Sequence, residues 1–200
     1  MPRRYSMAKR AEETGRTRRR IEAALIRLLV SRPYNGITMV DIAAEADVAV
    51  RTVQRHYLTK DDLLLEACLR RTQSVTEQLQ DLSAKSAQGL IQSLVKAQFD
   101  FYEQHNTECW ALHSRAAEAP KMRDALHTLI DGRISSLADL MARWPDAWSV
   151  DGSLAARILV ALTSYPVWRG FTESGRFSPA KAAAEVTDIL CQRLLRPVAS

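Results

Sequence analysis

TMVDIAAEADVAVRTVQRHYLTK, residues 38–60, holds two short helical patterns with one break between them, and the remainder of the chain reads as their support. Thr38 stands where an apolar set begins and Asp41 follows three residues later, so the two can cap each other's backbone N–H groups. Val40, Ile42, Ala43 and Ala46 give the helix that follows one packing side. Asp47 falls where the chain must turn, and aspartate enters a left-handed conformation at tolerable cost. A second helix opens near Ala49. On it Val53 and Tyr57, at i and i+4, share the inner face and leave Val50, Arg51, Gln54 and Arg55 on the others.

Two short helices on a tight turn, the second showing polar and basic groups outward, make a helix-turn-helix that can lay its second helix in a DNA major groove. Tyr34, Ile37, Thr38, Asp41, Ile42, Ala43, Ala46 and Val48, then Arg51-Thr52-Val53-Gln54-Arg55-His56-Tyr57, then Thr59-Lys60-Asp61-Asp62-Leu63, resemble the DNA-binding domain of TetR-family transcriptional regulators. The likeness covers residues 15 to 65. Where that family has a turn glycine this chain has Asp47; its serine cap is Ala49, its aromatic before the Arg-His pair is Gln54, and its Phe-Pro pair is Tyr57-Leu58. Ala49 gives up roughly 1 kcal/mol of capping, and Gln54 changes what that position can touch.

The resemblance implies a division of labour among these residues, because a DNA reader needs phosphate contacts for register and base contacts for sequence. Thr38, Thr52, His56 and Lys60 are the phosphate candidates. Val50, Arg51, Gln54 and Arg55 are the base-edge candidates, with arginine suited to guanine, glutamine to adenine and valine to a thymine methyl.

Charge is distributed in the same sense. Residues 1–60 carry 13 Lys and Arg against 6 Asp and Glu, whereas the other 140 carry 15 against 17, so the chain's net charge of +5 comes from the helix-turn-helix end. That is where phosphate is expected. Cys68, Cys109 and Cys191 are odd in number and far apart, which suggests neither a disulfide framework nor a zinc module. The basic N-terminus lacks the apolar run of a signal peptide, and no eighteen consecutive apolar residues occur, so the expected setting is the cytoplasm, away from the membrane.

Along the chain, residues 1–13 read as a disordered basic arm carrying Arg3, Arg4, Lys9 and Arg10. Residues 14–60 read as the DNA-binding domain, opened by a helix with Ile21, Ala24, Leu25, Leu28 and Leu29 on one face. Arg16, Arg18, Arg19 and Arg20 lie at the wrong end of that helix's dipole and are best explained by an outside anion. Residues 61–200 read as an effector-binding and dimerisation domain. Thr59 and Asp62 cap its first helix, Thr107 caps a later one, and a long helix from Met122 to Trp144 contains Gly132, which suggests a close crossing. Leu154 to Phe171 is apolar nearly all round, with a kink expected at Pro166, and a last helix follows the Ser178-Pro179 cap. Nine helices and no strand make the fold class all-α, three helices in the N-terminal domain and six in the C-terminal one.

Ala183, Val186, Ile189, Leu190 and Leu194 form a stripe at the chain's end with little left to cover it. With the nearly all-round apolar segment Leu154–Phe171, it predicts a symmetric homodimer in which that segment and the helix Ser178–Leu195 pack on their partners as a four-helix interface, with Leu190 and Leu194 in it. Such a dimer reads an inverted-repeat operator on double-stranded DNA. The resemblance adds a small apolar or aromatic effector in the C-terminal domain, with Phe99, Tyr102, Trp110, His113, Tyr165 and Trp168 as its candidate contacts. Two alternatives stand beside it. One is a DNA-binding protein with no effector; the other is a metal-responsive regulator using His105, Cys109 and His113, which would share one face of an unbroken helix. No nucleophile elbow, P-loop, dinucleotide fingerprint or HExxH occurs, so no catalytic residue and no cofactor is assigned.

Overall fold

The structure, a computed structural model, describes the backbone of residues 3–80 and 84–197, and side chains for 12–70, 84–117 and 119–197. Ten α-helices follow in order: α1 Arg3–Ser31, α2 Met39–Glu45, α3 Val50–His56, α4 Lys60–Gln80, α5 Ala87–Gln104, α6 Asn106–Glu118, α7 Pro120–Met141, α8 Gly152–Leu162, α9 Tyr165–Arg169 and α10 Pro179–Leu194. Among the described residues the only extended pairing is an isolated bridge between Trp148 and Leu195. No described helix is long and apolar enough to cross a membrane.

Two compact units divide the chain. One comprises Met1–Arg71 with Thr107–Met122, the other Thr72–Asn106 with Arg123–Ser200. The division does not fall after residue 60, as the sequence suggested: the first turns of α4 and nearly all of α6 go with the helix-turn-helix. Nor does an arm of thirteen residues precede α1, which begins at Arg3.

In the first unit, the predicted spacing on α1 puts Ile21, Ala24, Leu25, Leu28 and Leu29 in the core, and Ile42, Ala43 and Ala46 of α2, Val53 and Tyr57 at α3, and Leu63 and Leu64 of α4 are buried as well. Two capping boxes hold as read. Thr38 and Asp41 exchange side-chain and backbone bonds at the start of α2, and at α4 the Asp62 N–H donates to Thr59 Oγ1 at 3.0 Å while the Thr59 N–H donates to Asp62 Oδ2 at 3.1 Å.

The second unit is built on α5, whose Leu90, Ile91, Leu94, Val95, Gln98, Phe99 and Tyr102 are buried. Here four expectations change. The predicted single helix from Leu154 breaks into α8 and α9 because Ser164 is extended and Pro166, instead of kinking a helix, occupies the first turn of a new one, where its missing N–H costs nothing. This accounts for ten helices where nine were expected. Burial of α8 is one-sided, through Ala155, Ala156, Leu159 and Val160, and Leu154 stays 42% exposed. On α10 the buried set is Ala182, Val186, Leu190 and Leu194, with Leu190 and Leu194 fully covered within their own chain and Ile189 47% exposed. Leu190 and Leu194 are therefore core residues, and the outward apolar face consists of other side chains. Gly132 has open space around it, so no close crossing explains it. Gly175 does answer to a close approach: a Cβ there would stand 2.7 Å from the Phe171 carbonyl oxygen. The left-handed residue that follows is Arg176, at φ 55°.

Candidate nucleic-acid interface

The turn between α2 and α3 is fixed from three sides. Asp47 sits at φ 51°, as its position suggested. The Val48 N–H donates to the Ala43 carbonyl at 3.0 Å. Arg20 Nη2 donates to the carbonyls of Ala46 and Asp47 at 2.8 and 3.0 Å. Arg20 thus occupies the last carbonyls of α2, a favourable place for a cation. Arg27 pairs with Glu45 at 2.5 Å and Arg18 with Glu66 at 2.7 Å. Of the four arginines for which an outside anion was expected, Arg18 and Arg20 have partners within the chain, whereas Arg16 and Arg19 are exposed.

Val53, fully buried, and Tyr57 anchor the inner side of α3. The Tyr57 hydroxyl donates to Glu22 Oε1 at 2.7 Å, and Arg70 Nε reaches the same oxygen at 3.0 Å. The buried Glu22 carboxylate is satisfied in this way, and α3 is tied to α1 and α4. With that side fixed, Arg51, Gln54 and Arg55 are exposed and Val50 and Thr52 half-buried. Three of the four base-edge candidates, Arg51, Gln54 and Arg55, thus form one outward set on one short helix, with Val50 only partly exposed. Ala49 makes no side-chain cap, as its residue type requires.

The phosphate candidates divide. Thr38 is exposed, but its hydroxyl donates to Asp41 Oδ2 at 2.6 Å and accepts from the Asp41 N–H at 3.2 Å. The hydroxyl bond and the Thr38 N–H, which donates to Asp41 Oδ2 at 2.8 Å, hold the Asp41 carboxyl below the usual range, with Arg32 beside it. Lys60 differs more from expectation. Its Nζ donates to the carbonyls of Tyr34 and Ile37, both at 2.6 Å, and lies 4.0 Å from the centre of the Tyr34 ring. Two of its three donors thus close off a 3-10 turn, Tyr34–Gly36, before α2. Burial is the largest influence on its ammonium and lowers its pKa, against the opposing charge of Asp61. His56 is half-buried, and its Nε2 is covered without a hydrogen-bond partner. Burial, then the charges of Arg55 and Arg18, lower its pKa from 6.5, so at neutral pH it is a neutral imidazole and a poor counterion for phosphate.

Further polar links went unforeseen because Asp61 and Asp62 in the first turn of α4 look in sequence like ordinary dipole partners. The Tyr34 hydroxyl donates to Asp61 Oδ1. Arg115 of α6 bonds to both Asp61 oxygens at 3.2 Å or slightly more, and Lys121 pairs with Asp62.

The effector candidates do not form one group. Tyr102, Tyr165 and Trp168 come together in the second unit, with ring centres 5.4 Å apart for the tyrosines, and 6.0 and 5.7 Å from each to Trp168. The Tyr102 hydroxyl donates to the Thr163 carbonyl at 3.2 Å and that of Tyr165 to Asn106 Oδ1 at 2.6 Å. Trp168 Nε1 is buried with no partner. Phe99 is buried on α5 in the same unit. Trp110 and His113 belong to the first unit, Trp110 52% exposed and His113 half-buried with its pKa lowered by burial. The proposed metal face is broken: His105 is the C-cap of α5, whereas Cys109 and His113 lie on α6. Among the described residues no three His, Cys, Asp or Glu side chains group so as to hold a metal ion.

Residues 21–67 match the family model for bacterial regulatory proteins of the tetR family. No curated protein matches the chain. Among solved structures, a transcriptional regulator from Saccharomonospora viridis in complex with choline superposes with a TM-score of 0.75 at 20% identity, covering 92% of this chain and 100% of that one. NalD of Pseudomonas aeruginosa, the secondary repressor of the MexAB-OprM multidrug efflux pump, gives 0.71 at 19%, covering 94% and 100%. A TetR-family regulator from Syntrophomonas wolfei gives 0.75 at 13%, covering 88% and 93%. At these identities the likeness is one of fold.

Proposed function

We propose, from the premise that this chain is a DNA-binding transcriptional regulator with the N-terminal domain of the tetR family, that it works as a homodimeric repressor released from an inverted-repeat operator by a small effector. The observation that carries the reading is the outward set Arg51, Gln54 and Arg55 on an α3 held from behind by Val53 and the Tyr57–Glu22–Arg70 link. A recognition helix must be rigid to place side chains against base edges, and this one is clamped at its turn and along its inner face. Phosphate contact falls to Thr38, Thr52 and the exposed Arg16 and Arg19 more readily than to Lys60 or His56.

Dimerisation is supported by Leu154 on α8 and Ile189 on α10, large apolar side chains left partly in water. A twofold pair of α3 helices sets half-sites about one helical turn, roughly 34–36 Å, apart. The effector reading rests on the second unit, where the buried, unpartnered N–H of Trp168 beside Tyr102 and Tyr165 offers a donor and aromatic faces to an apolar or aromatic molecule. The choline held by the Saccharomonospora viridis regulator makes a small cation the natural comparison ligand. α4 belongs to both units and is the lever: a ligand that prefers one arrangement of that helix shifts DNA affinity by the same preference.

Selection on random duplexes tests the reading. An enriched inverted repeat, with Arg51→Ala relaxing one position of each half-site at a cost of about 1–3 kcal/mol, is the expected result. Equal binding to all duplexes would refute specific recognition.

A further inference from the structure

We propose that the effector of the second unit is an anion, an amphiphilic carboxylate whose charged end meets Arg133 on α7. The inference rests on the reading that an effector enters that unit, and it adds the chemistry. From Leu126 to Met141, a stretch that lies wholly in the second unit, α7 has two faces. His127, Thr128, Asp131, Ser135 and Asp139 are exposed, whereas Leu126, Ile130, Arg133, Leu137 and Met141, three or four residues apart, form an inner stripe. Arg133 therefore stands as a cation in an otherwise apolar row. Its Nη2 is covered and has no hydrogen-bond partner, and among the described residues no acid forms an ion pair with it. Other cations find an acid four residues away on their own helix: Arg70 has Glu66, Lys96 has Asp100 and Arg169 has Glu173. At that spacing Arg133 has Leu129 and Leu137. A guanidinium stays charged at any pH a folded protein meets, so a covered donor of this kind calls for an acceptor from outside the chain.

The row around Arg133 describes the other end of the ligand. It is closed on one side, where Leu137 and Met141 are 5% and 1% exposed, and only part-covered on the other, where Leu126, Leu129, Ile130 and Ile134 are half-buried. A cation where the closed length gives way to the part-covered one fits a molecule that lays an apolar body along Leu126 to Ile130 and its carboxylate on the guanidinium. The helix rises about 10 Å between Leu126 and Arg133, a distance that a medium-length alkyl chain spans. Trp168 Nε1, also covered and unpartnered in this unit, is likewise a donor, so the unit offers N–H groups and calls for oxygen. A quaternary ammonium such as choline would meet like charge at Arg133 and leave its fork unfilled.

Calorimetric titration of the full chain with octanoate, without DNA, tests the inference, with octan-1-ol as the uncharged counterpart and choline as the cation. Saturable binding of one octanoate per chain is expected, tighter than octan-1-ol by about tenfold or more, with choline weaker still. In Arg133→Gln that preference should vanish, so that the acid and the alcohol bind alike, while Arg133→Lys keeps part of it. A substitution that merely loosened the fold would weaken both ligands together, and a thermal melt of each variant reports that. Lys96→Gln, which removes an exposed cation from α5 in the same unit, should bind octanoate as the parent does. Absence of saturable octanoate binding by the parent would overturn the proposal. So would a preference that survives in Arg133→Gln, or an equal loss in Lys96→Gln. Choline bound as tightly as octanoate, or in its place, would do the same and leave the effector reading standing. Octanoate bound alike by the free and the operator-bound chain, titrated separately, would end the regulatory reading and leave the site.

Discussion

Lys60→Met separates two roles for one cation. The substitution removes the ammonium and keeps most of the stem over the Tyr34 ring, so what is lost is the pair of 2.6 Å bonds to the carbonyls of Tyr34 and Ile37. A hydrogen bond from a charged donor contributes about 1.5–3 kcal/mol. The site is partly open to water, which lets the carbonyls recover some solvation and favours the lower end, so a loss of roughly 2–4 kcal/mol is expected. For a chain of this length each kcal/mol moves the melting temperature by about 2–4 °C, which gives a fall of roughly 4–16 °C. DNA binding supplies the second readout. Every phosphate neutralised adds about 0.9 to the slope of log K against log salt concentration. With the ammonium turned to the carbonyls, that slope should be the same in parent and variant. Differential scanning calorimetry and a salt titration of operator affinity measure the two effects. A variant that melts like its parent while its slope drops by about 0.9 would put the ammonium on phosphate and refute the reasoning.

Three more outcomes follow from the geometry. Leu154→Asp combined with Ile189→Asp should sediment as a folded species of 22.5 kDa, whereas Leu190→Asp should lose its fold, since Leu190 is fully covered within one chain; a double variant that stays dimeric would move the interface elsewhere. His56 binds a proton less readily when folded, because burial and then Arg55 and Arg18 disfavour its charged form, so its share of stability is present above its ordinary pKa of 6.5 and is lost as pH falls below it. Thermal melts across that range should show a shallower decline for His56→Gln than for the parent, and parallel curves would count against the effect. Gly175→Ala should cost about 1–3 kcal/mol in a denaturant titration, the usual penalty of forcing an atom into filled space, because its Cβ would press on the Phe171 carbonyl; a neutral result would show that the backbone yields there.

What the sequence revealed and what it hid have separate causes. Caps are local: Thr38 with Asp41, Thr59 with Asp62 and Ser178 with Lys181 each involve residues three apart, and all three form as their spacing predicts. The left-handed turn at Asp47 is local too. Helix faces depend on what lies across from them. Periodicity therefore placed Leu190 and Leu194 on one stripe of α10 correctly, but could not say that their own chain covers that stripe and leaves Ile189 outside. The break before α9 has the same character. A proline inside an apolar run breaks or kinks a helix in any case, and only the extended Ser164 decides that Pro166 begins a new one.

Charged residues of the site were the hardest to place, for a physical reason. An arginine or lysine has a long flexible stem, and its partner is set by distances in space with no sequence period behind them. On α1 and α3 the same residue type accordingly ends in opposite roles: Arg20, 27 residues before Asp47, clamps the turn, while Arg51, on the far side of that turn, faces outward. The surplus of positive charge in residues 1–60 falls at the end of the chain that holds the family-model match, yet several of its members hold the helix-turn-helix together. That division of labour bears on specificity. Cations consumed by Glu45, Glu66, Asp47 and backbone carbonyls contribute little to salt-dependent, sequence-independent attraction, and a helix fixed by them holds Arg51, Gln54 and Arg55 in one geometry. Base readout depends on such geometry, because a bidentate contact to a base edge is lost when the side chain's root shifts by an ångström or so.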